Sequence, residues 1–303
     1  MKEPIDFADR LVWKSPDLNV LRRNAEEYPL FSQLLQNAVQ NSDAHGQLTL
    51  PDLRAFRNEA VSVFSDYGGE SSGGYYTYSA LVCGFGYTGP FNQNMKAVRE
   101  KHKLGEIEIA YKSFGTGQVR RALPDYLEAI NRLPGMLCTL LVDKGITTLL
   151  GPQEKETLTQ LSNLIEAQGF GKRNHRVAEK LLRVVHFTAF LTGLLIHDGQ
   201  KVFWMSDNDA ICANQETHKQ LLAIFDSVLY IYTRSGCAIP LVGGARPFKP
   251  PSLELMDLLS SADVAAGSLS ACFPKQGSVS QGDLRLRLAE TTYCSGSHGT
   301  VLV

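Results

Sequence analysis

Residues 136–142 read Met-Leu-Cys-Thr-Leu-Leu-Val, an apolar run broken by a single hydroxyl. A segment of this kind fits a central strand covered on both faces, because it offers no polar side to water. The neighbouring patterns supply the rest of such a fold. Residues 60–66 (Ala-Val-Ser-Val-Phe-Ser-Asp) alternate briefly and end in a turn at Gly68-Gly69. Residues 74–85 are aromatic and β-branched, and pair as a second strand with the first. Short strands are also expected over 106–111 (Glu-Ile-Glu-Ile-Ala-Tyr) and 201–206. Helical patterns occupy 91–103, 118–133, 153–168, 173–196, 214–233 and 252–273. Strands that pair early and then alternate with helices specify an α/β chain: a mixed sheet flanked by helices.

Two ends stand apart from this core. Residues 1–57 read as a helical N-terminal extension, with helices over 19–39 (Leu21, Tyr28, Leu30, Leu34, Leu35) and from Pro51 through Leu53 and Phe56. No ionisable cluster marks it, so its expected role is packing or docking a protein partner. Residues 58–303 form the α/β domain, whose last stretch, 274–303, is rich in Ser and Gly and weakly patterned. No internal repeat is visible.

Composition narrows the functional classes. Thirty basic and 31 acidic residues leave a formal charge of −1, so no global basic field advertises nucleic acid. The six cysteines are scattered, with no pair at metal-finger or redox spacing. The polar, acidic opening does not resemble a signal peptide, and the most apolar helical stretch, 184–196, is too short to span a bilayer. These features point to a reducing, cytoplasmic protein with no membrane partner.

The chemistry collects at strand ends. Asp66 follows the first strand, Asp143 the run at 136–142, and Asp207 with Asp209 the strand at 201–206. Ligands of open α/β sheets gather beyond the carboxyl ends of strands. An extended backbone would send Asp207 and Asp209 to one side. On the last helix Leu255, Leu258, Leu259, Ala262, Ala266 and Leu269 form a stripe. Asp263 lies at its edge, looking toward the sheet, and Asp257 lies opposite, expected to face water. The small Ala262, Ala266, Gly267 and Ser270 permit close approach to the strands. Converging carboxylates repel one another unless a hard cation neutralises them, and oxygen-only ligation suits Mg²⁺ or Mn²⁺. Such ions support phosphodiester cleavage. Any one of these aspartates alone is more simply a turn or helix cap.

Several of these segments also resemble a known family. Phe64-Ser-Asp66-Tyr-Gly-Gly and the strand after it, Glu108-Ile-Ala-Tyr-Lys112, residues 120–127, Leu140-Leu-Val-Asp-Lys144, residues 204–211 and the acidic helix 257–267 are similar, in that order, to the bacterial family known as domain of unknown function 3800. Its members are regarded as ribonuclease-H-like. The resemblance covers about residues 60 to 272 and implies a ribonuclease-H-like sheet. It implies Asp66, Asp207 or Asp209, and Asp263 as acidic site residues, with Lys112 and Asp143 as neighbours. Where that family carries an acidic residue, Ser and Gly after the first aspartate, this chain has Tyr67-Gly68-Gly69.

Other signals compete. Gly84-Phe-Gly-Tyr-Thr-Gly89 fits the dinucleotide fingerprint, with Glu106 and Glu108 downstream, but the strand before it is polar and aromatic and Pro90 follows. Asp207-Asn-Asp209 matches the acidic pair of nucleotide-sugar transferases. His186 and His197 sit on or beside an apolar helix, where core or cap roles are expected. Lys101, Lys103, Arg120, Arg121, Lys172, Arg173 and Arg176 are compatible with phosphate tracking but equally with solvated surface. The leading expectation is a metal-dependent nuclease or phosphodiesterase. Its site is Asp66, Asp207, Asp209 and Asp263 on Mg²⁺ or Mn²⁺, with Asp143 completing the ligand shell and Lys112 meeting phosphate charge. The alternative is a catalytically silent ribonuclease-H-like module that docks a protein or nucleic acid.

Overall fold

The computed structural model describes residues 11–21, 27–70, 73–152, 154–245, 252–273 and 286–293, the last as backbone. In chain order the elements are α1 (Leu30–Ala44), β1 (Ala60–Gly68), β2 (Tyr75–Gly84), α2 (Thr88–His102), α3 (Gly117–Asn131), β3 (Gly135–Asp143), α4 (Lys155–Ala167), α5 (His175–Leu195), β4 (Lys201–Ser206), α6 (Gln215–Ile231), β5 (Val242–Gly244), α7 (Leu253–Cys272) and β6 (Leu286–Tyr293). The strands form one mixed sheet in the order β5-β4-β1-β2-β3-β6. β1, β2, β3 and β6 are successively antiparallel, whereas β4 lies parallel to β1 and β5 parallel to β4.

The apolar run is β3, buried from Gly135 to Val142. One face of the sheet packs on α2, α3 and α7 through Phe64, Leu81, Leu137 and Met205. The other packs on α5 and α6 through Val61, Val63, Val82 and Trp204. The single hydroxyl in the run has a partner: Thr139 pairs in register with Ser79 and bonds it at 2.7 Å, and Ser79 in turn faces Asp66 across β1. A buried polar row thus crosses the sheet and ends at that carboxyl. α5 is buried on all sides from Arg183 to Leu195 because it lies between the sheet and a further layer that includes α1. Val20, Leu21, Phe31, Leu35, Val39, Leu50 and Leu53 of the N-terminal segment join that same core.

Several expectations are corrected. Of the helix expected over 19–39, residues 19–21 are not helical and 22–26 lie outside the described residues; among the described residues the first helix begins at Leu30, because Pro29 disfavours helical backbone at the residue before it and stands, extended, at the N-cap. Pro51 starts no helix: it bridges Val12, and only a 3-10 turn, Ala55–Arg57, follows. Residues 106–111 are not a strand. Arg99 reaches into that loop: its guanidinium donates to the carbonyls of Gly105 (2.8 Å), just before the segment, and Ile107 (3.1 Å), within it, satisfying oxygens a sheet neighbour would otherwise take. Asp257 does not face water; it is buried against Arg99, because α7 is covered by α2 as well as by the sheet. The weakly patterned C-terminal stretch contributes β6, and β5 is too short, at three residues, to leave a pattern.

Candidate active site

The period of two along a strand places Asp66 on the α7 side of β1, in line with Phe64, and Ser65 and Tyr67 on the α5 side. β4 runs parallel to β1 with Ser65 opposite Ser206, so the chain leaves both strands at the same edge. Asp207 emerges there, and its amide donates to the Ser65 carbonyl at 2.9 Å. α7 crosses this edge closely. A Cβ on Gly68 would lie 3.6 Å from the Ala266 backbone, and one on Gly267 would overlap the Tyr111 ring. The small residues of α7 therefore serve two approaches: Ala266 to the strand, and Gly267 to the loop after residue 110. From this position Asp263 accepts the Tyr111 backbone N–H and comes within hydrogen-bonding reach of Asp66.

Asp66 is the centre of the arrangement. It is 7 % exposed, and burial, then the charges of Asp207 and Asp263, push its carboxyl up to about 9. The backbone N–H of Tyr67 opposes the shift, and the hydrogen bond shared with Asp263 adds to it. Without a cation, Asp66 is thus a protonated acid near neutrality. Asp207 is raised too, by burial and by Asp209 and Asp263, against the Asn208 backbone N–H and Lys112.

A fourth carboxylate belongs here. Glu108 is raised by burial, lowered by Lys112 at 3.8 Å, and raised by Asp263 and Asp207. The sequence placed Glu108 only within a resembling segment and a dinucleotide fingerprint. The signal that could have found it is its spacing of four from Lys112, across a loop that Arg99 and Asp263 hold against α7. Lys112 itself is exposed beside this group, where an anion could meet it.

Two expected members stand elsewhere. Residues 207–211 turn instead of remaining extended, so Asp207 and Asp209 diverge. Asp209 pairs with Lys180 of α5 and accepts the Ile211 amide at 2.8 Å. Burial alone would depress Lys180, but Asp209 and Glu70 outweigh it and hold its ammonium above the ordinary range. That divergence also removes the paired-acid arrangement of a sugar-nucleotide site. Asp143 lies opposite Tyr75, beyond the Asp66–Ser79 register, and its Oδ1 caps the turn by accepting the Gly145 amide at 2.7 Å. Asp143 is a turn residue.

The remaining signals resolve locally. Gly84 ends β2, which has antiparallel neighbours on both sides, so the strand–helix crossover of a dinucleotide site is absent there. His186 is a core residue: burial lowers it to about 4, and Nδ1 lies 2.7 Å from the Tyr232 hydroxyl. Lys101 pairs with Asp125 at 2.6 Å and Arg173 bonds Gln220 at 3.0 Å, so these two do not stand free on a phosphate-tracking surface.

Asp66, Asp207, Asp263 and Glu108 offer only oxygen donors, the chemistry a hard divalent cation takes. Among the described residues, no three acidic, histidine or cysteine side chains are already drawn together as a ligand set. Burial and the charges of Asp207 and Asp263 favour an uncharged Asp66 instead. The donor chemistry fits Mg²⁺ or Mn²⁺, and side-chain rotation at this edge would be needed to gather the ligands. Also among the described residues, no helix is long and apolar enough to cross a membrane. No protein-family model matches the chain, and no characterised protein does.

Proposed function

We propose that the chain is a divalent-cation-dependent nuclease or related phosphodiesterase of the ribonuclease-H-like kind, acting in the cytoplasm. The observation that carries this reading is the meeting of Asp66, Asp207 and Asp263 at one sheet edge, each raising the cost of charging another. A protein that needed these groups only for packing would be more stable with amides in their place. The resemblance to domain of unknown function 3800 supports it, as does a sheet whose antiparallel strands give way to parallel ones beside the acids.

In this reading Asp66, Asp207 and Asp263 hold Mg²⁺ or Mn²⁺, which when bound supplies charge neutralisation to the phosphodiester and acidity to water. Lys112 reaches the phosphate from the exposed side. Glu108, half-exposed and beside Lys112, is placed to take a proton from the attacking water or return one to the leaving oxygen. Thr139 and Ser79 fix the strand face behind Asp66, and the Tyr111 amide orients Asp263. The test is cleavage of RNA, DNA and hybrid substrates with Mg²⁺ or Mn²⁺ by wild type and Asp66→Ala. Cleavage that survives the substitution would remove Asp66 from the mechanism.

A second reading, a catalytically silent interaction module, draws on Asp66 being held uncharged by burial and its neighbours and on Lys180 already occupying Asp209. Calorimetric titration separates the two: no uptake of Mg²⁺ or Mn²⁺ by wild type at millimolar concentration favours the module.

A further inference from the structure

At the opposite end of β1, about 20 Å from Asp66 at the rise of a strand, a cleft of about 580 Å³ opens among the described residues. That size is within the range of small-molecule sites. Its walls include Phe56 and Phe85, two large apolar rings that are 48 % and 46 % exposed. Neither ring is loose. Phe56 meets Tyr87 edge-on at 6.4 Å between centroids, and Phe85 lies 6.0 Å from Phe203.

The backbone is held in an unfavourable conformation to keep Phe56 there. Phe56 and Arg57 both have positive φ, 53° and 60°, a conformation costly for side-chain-bearing residues. Buried Asn58 fixes the turn: its amide donates to the Leu53 and Ala60 carbonyls at 2.7 and 2.8 Å, and its oxygen accepts the Gly86 N–H at 2.9 Å. The Tyr87 hydroxyl donates to the Ala55 carbonyl, and Gln200 donates to the Leu53 and Asn58 carbonyls. Gly84 belongs to the same device, because a Cβ there would strike the Tyr87 ring and the Asn58 amide. The glycine-rich segment 84–89 thus shapes this wall.

Charge selects the occupant. The lining carries Arg57, Arg132 and Lys201 against Glu59 alone, an excess of two positive charges. Arg132 also meets Glu128 on its own helix through Nη2. Exposed aromatic rings beside guanidinium groups recognise a nucleobase and its phosphate, and a monophosphate near neutrality carries close to two negative charges. We propose that this cleft binds a nucleoside monophosphate, its base on Phe56 and Phe85 and its phosphate among Arg57, Arg132 and Lys201. The site stands apart from the acidic edge and does not depend on that edge being catalytic.

The test is calorimetric titration of the full chain with AMP in chelating buffer, with adenosine and inorganic phosphate as separate arms. AMP is expected to bind more tightly than about 1 mM, and each fragment roughly tenfold more weakly or worse. Phe56→Ala and Arg132→Ala should each weaken AMP about five- to tenfold or more, and Asp66→Asn should leave it unchanged. Both substituted side chains are exposed, and unfolding curves matching wild type confirm that the variants fold. No heat from AMP at 5 mM (about five times the expected ceiling) overturns the proposal, as does affinity indifferent to Phe56→Ala and Arg132→Ala. Adenosine binding as well as AMP removes the anion subsite, and phosphate binding as well as AMP removes the base subsite.

Discussion

Replacing Asp66 by Asn should stabilise the protein in the absence of metal, increasingly as pH rises. The folded state binds the Asp66 proton more tightly than the unfolded chain does, with the carboxyl at about 9 against an ordinary 3.8. For an acid raised in this way, the stability it confers is full below the unfolded value and is lost between about pH 4 and pH 9. At about 1.4 kcal/mol per unit, the loss at pH 8 is on the order of 5 kcal/mol, and at pH 5 on the order of 1.5 kcal/mol. Asn keeps the shape and the hydrogen bond to Asp263 but cannot ionise. Thermal unfolding at pH 5, 6, 7 and 8 in chelator should show the variant gaining on wild type by roughly 5–10 °C across the range. Mn²⁺ should then recover about half of the wild-type loss at pH 8, because a ligand bound only by the folded wild type at a hundred times its Kd adds about 2.7 kcal/mol. Parallel unfolding curves for the two proteins at every pH would refute the idea that Asp66 is held protonated by its neighbours.

Four further outcomes follow from the geometry. Arg99→Ala leaves Asp257 buried without its guanidinium and should cost about 3–5 kcal/mol in urea unfolding. Lys180→Met removes a positive charge beside Asp209, so calorimetry should show Mn²⁺ binding tightened several-fold, roughly 1 kcal/mol, while the metal-free protein loses stability. Gly267→Ala should displace Tyr111, whose amide holds Asp263, and lower both melting temperature and the cleavage proposed for this edge. His186 is lowered to about 4, so the stability it secures is full above about pH 6.5 and lost as pH falls toward 4; its ring resonances in NMR should show no titration near pH 6.5.

The sequence made the framework legible where one local pattern was enough. Residues 202–205 are a continuous apolar run inside β4, and residues 136–142 are the interior of β3. Reading failed where a distant side chain decided the outcome. Arg99 turned 106–111 into a loop by taking its carbonyls, and the same residue drew Asp257 inward against the helical wheel. The wheel assumed one covered face, and α7 has two. In the site, Asp66, Asp207 and Asp263 were found because strand ends and a helix stripe fixed their directions. Asp209 and Asp143 are instead engaged by Lys180 and the Gly145 amide because turns follow both strands, and a turn breaks the period of two from which direction was inferred. Glu108 was missed because it stands on a loop with no period.

The bond between Ser32 and Tyr232, 2.6 Å long and continued to His186, ties α1 to the loop after α6 and to the middle of α5. A fragment starting at residue 58 would strip one wall from a buried helix and take Ser32 from the Tyr232 hydroxyl, leaving it only His186. α1 therefore shares its core with the sheet domain, and a binding partner could reach that helix only along its outer side.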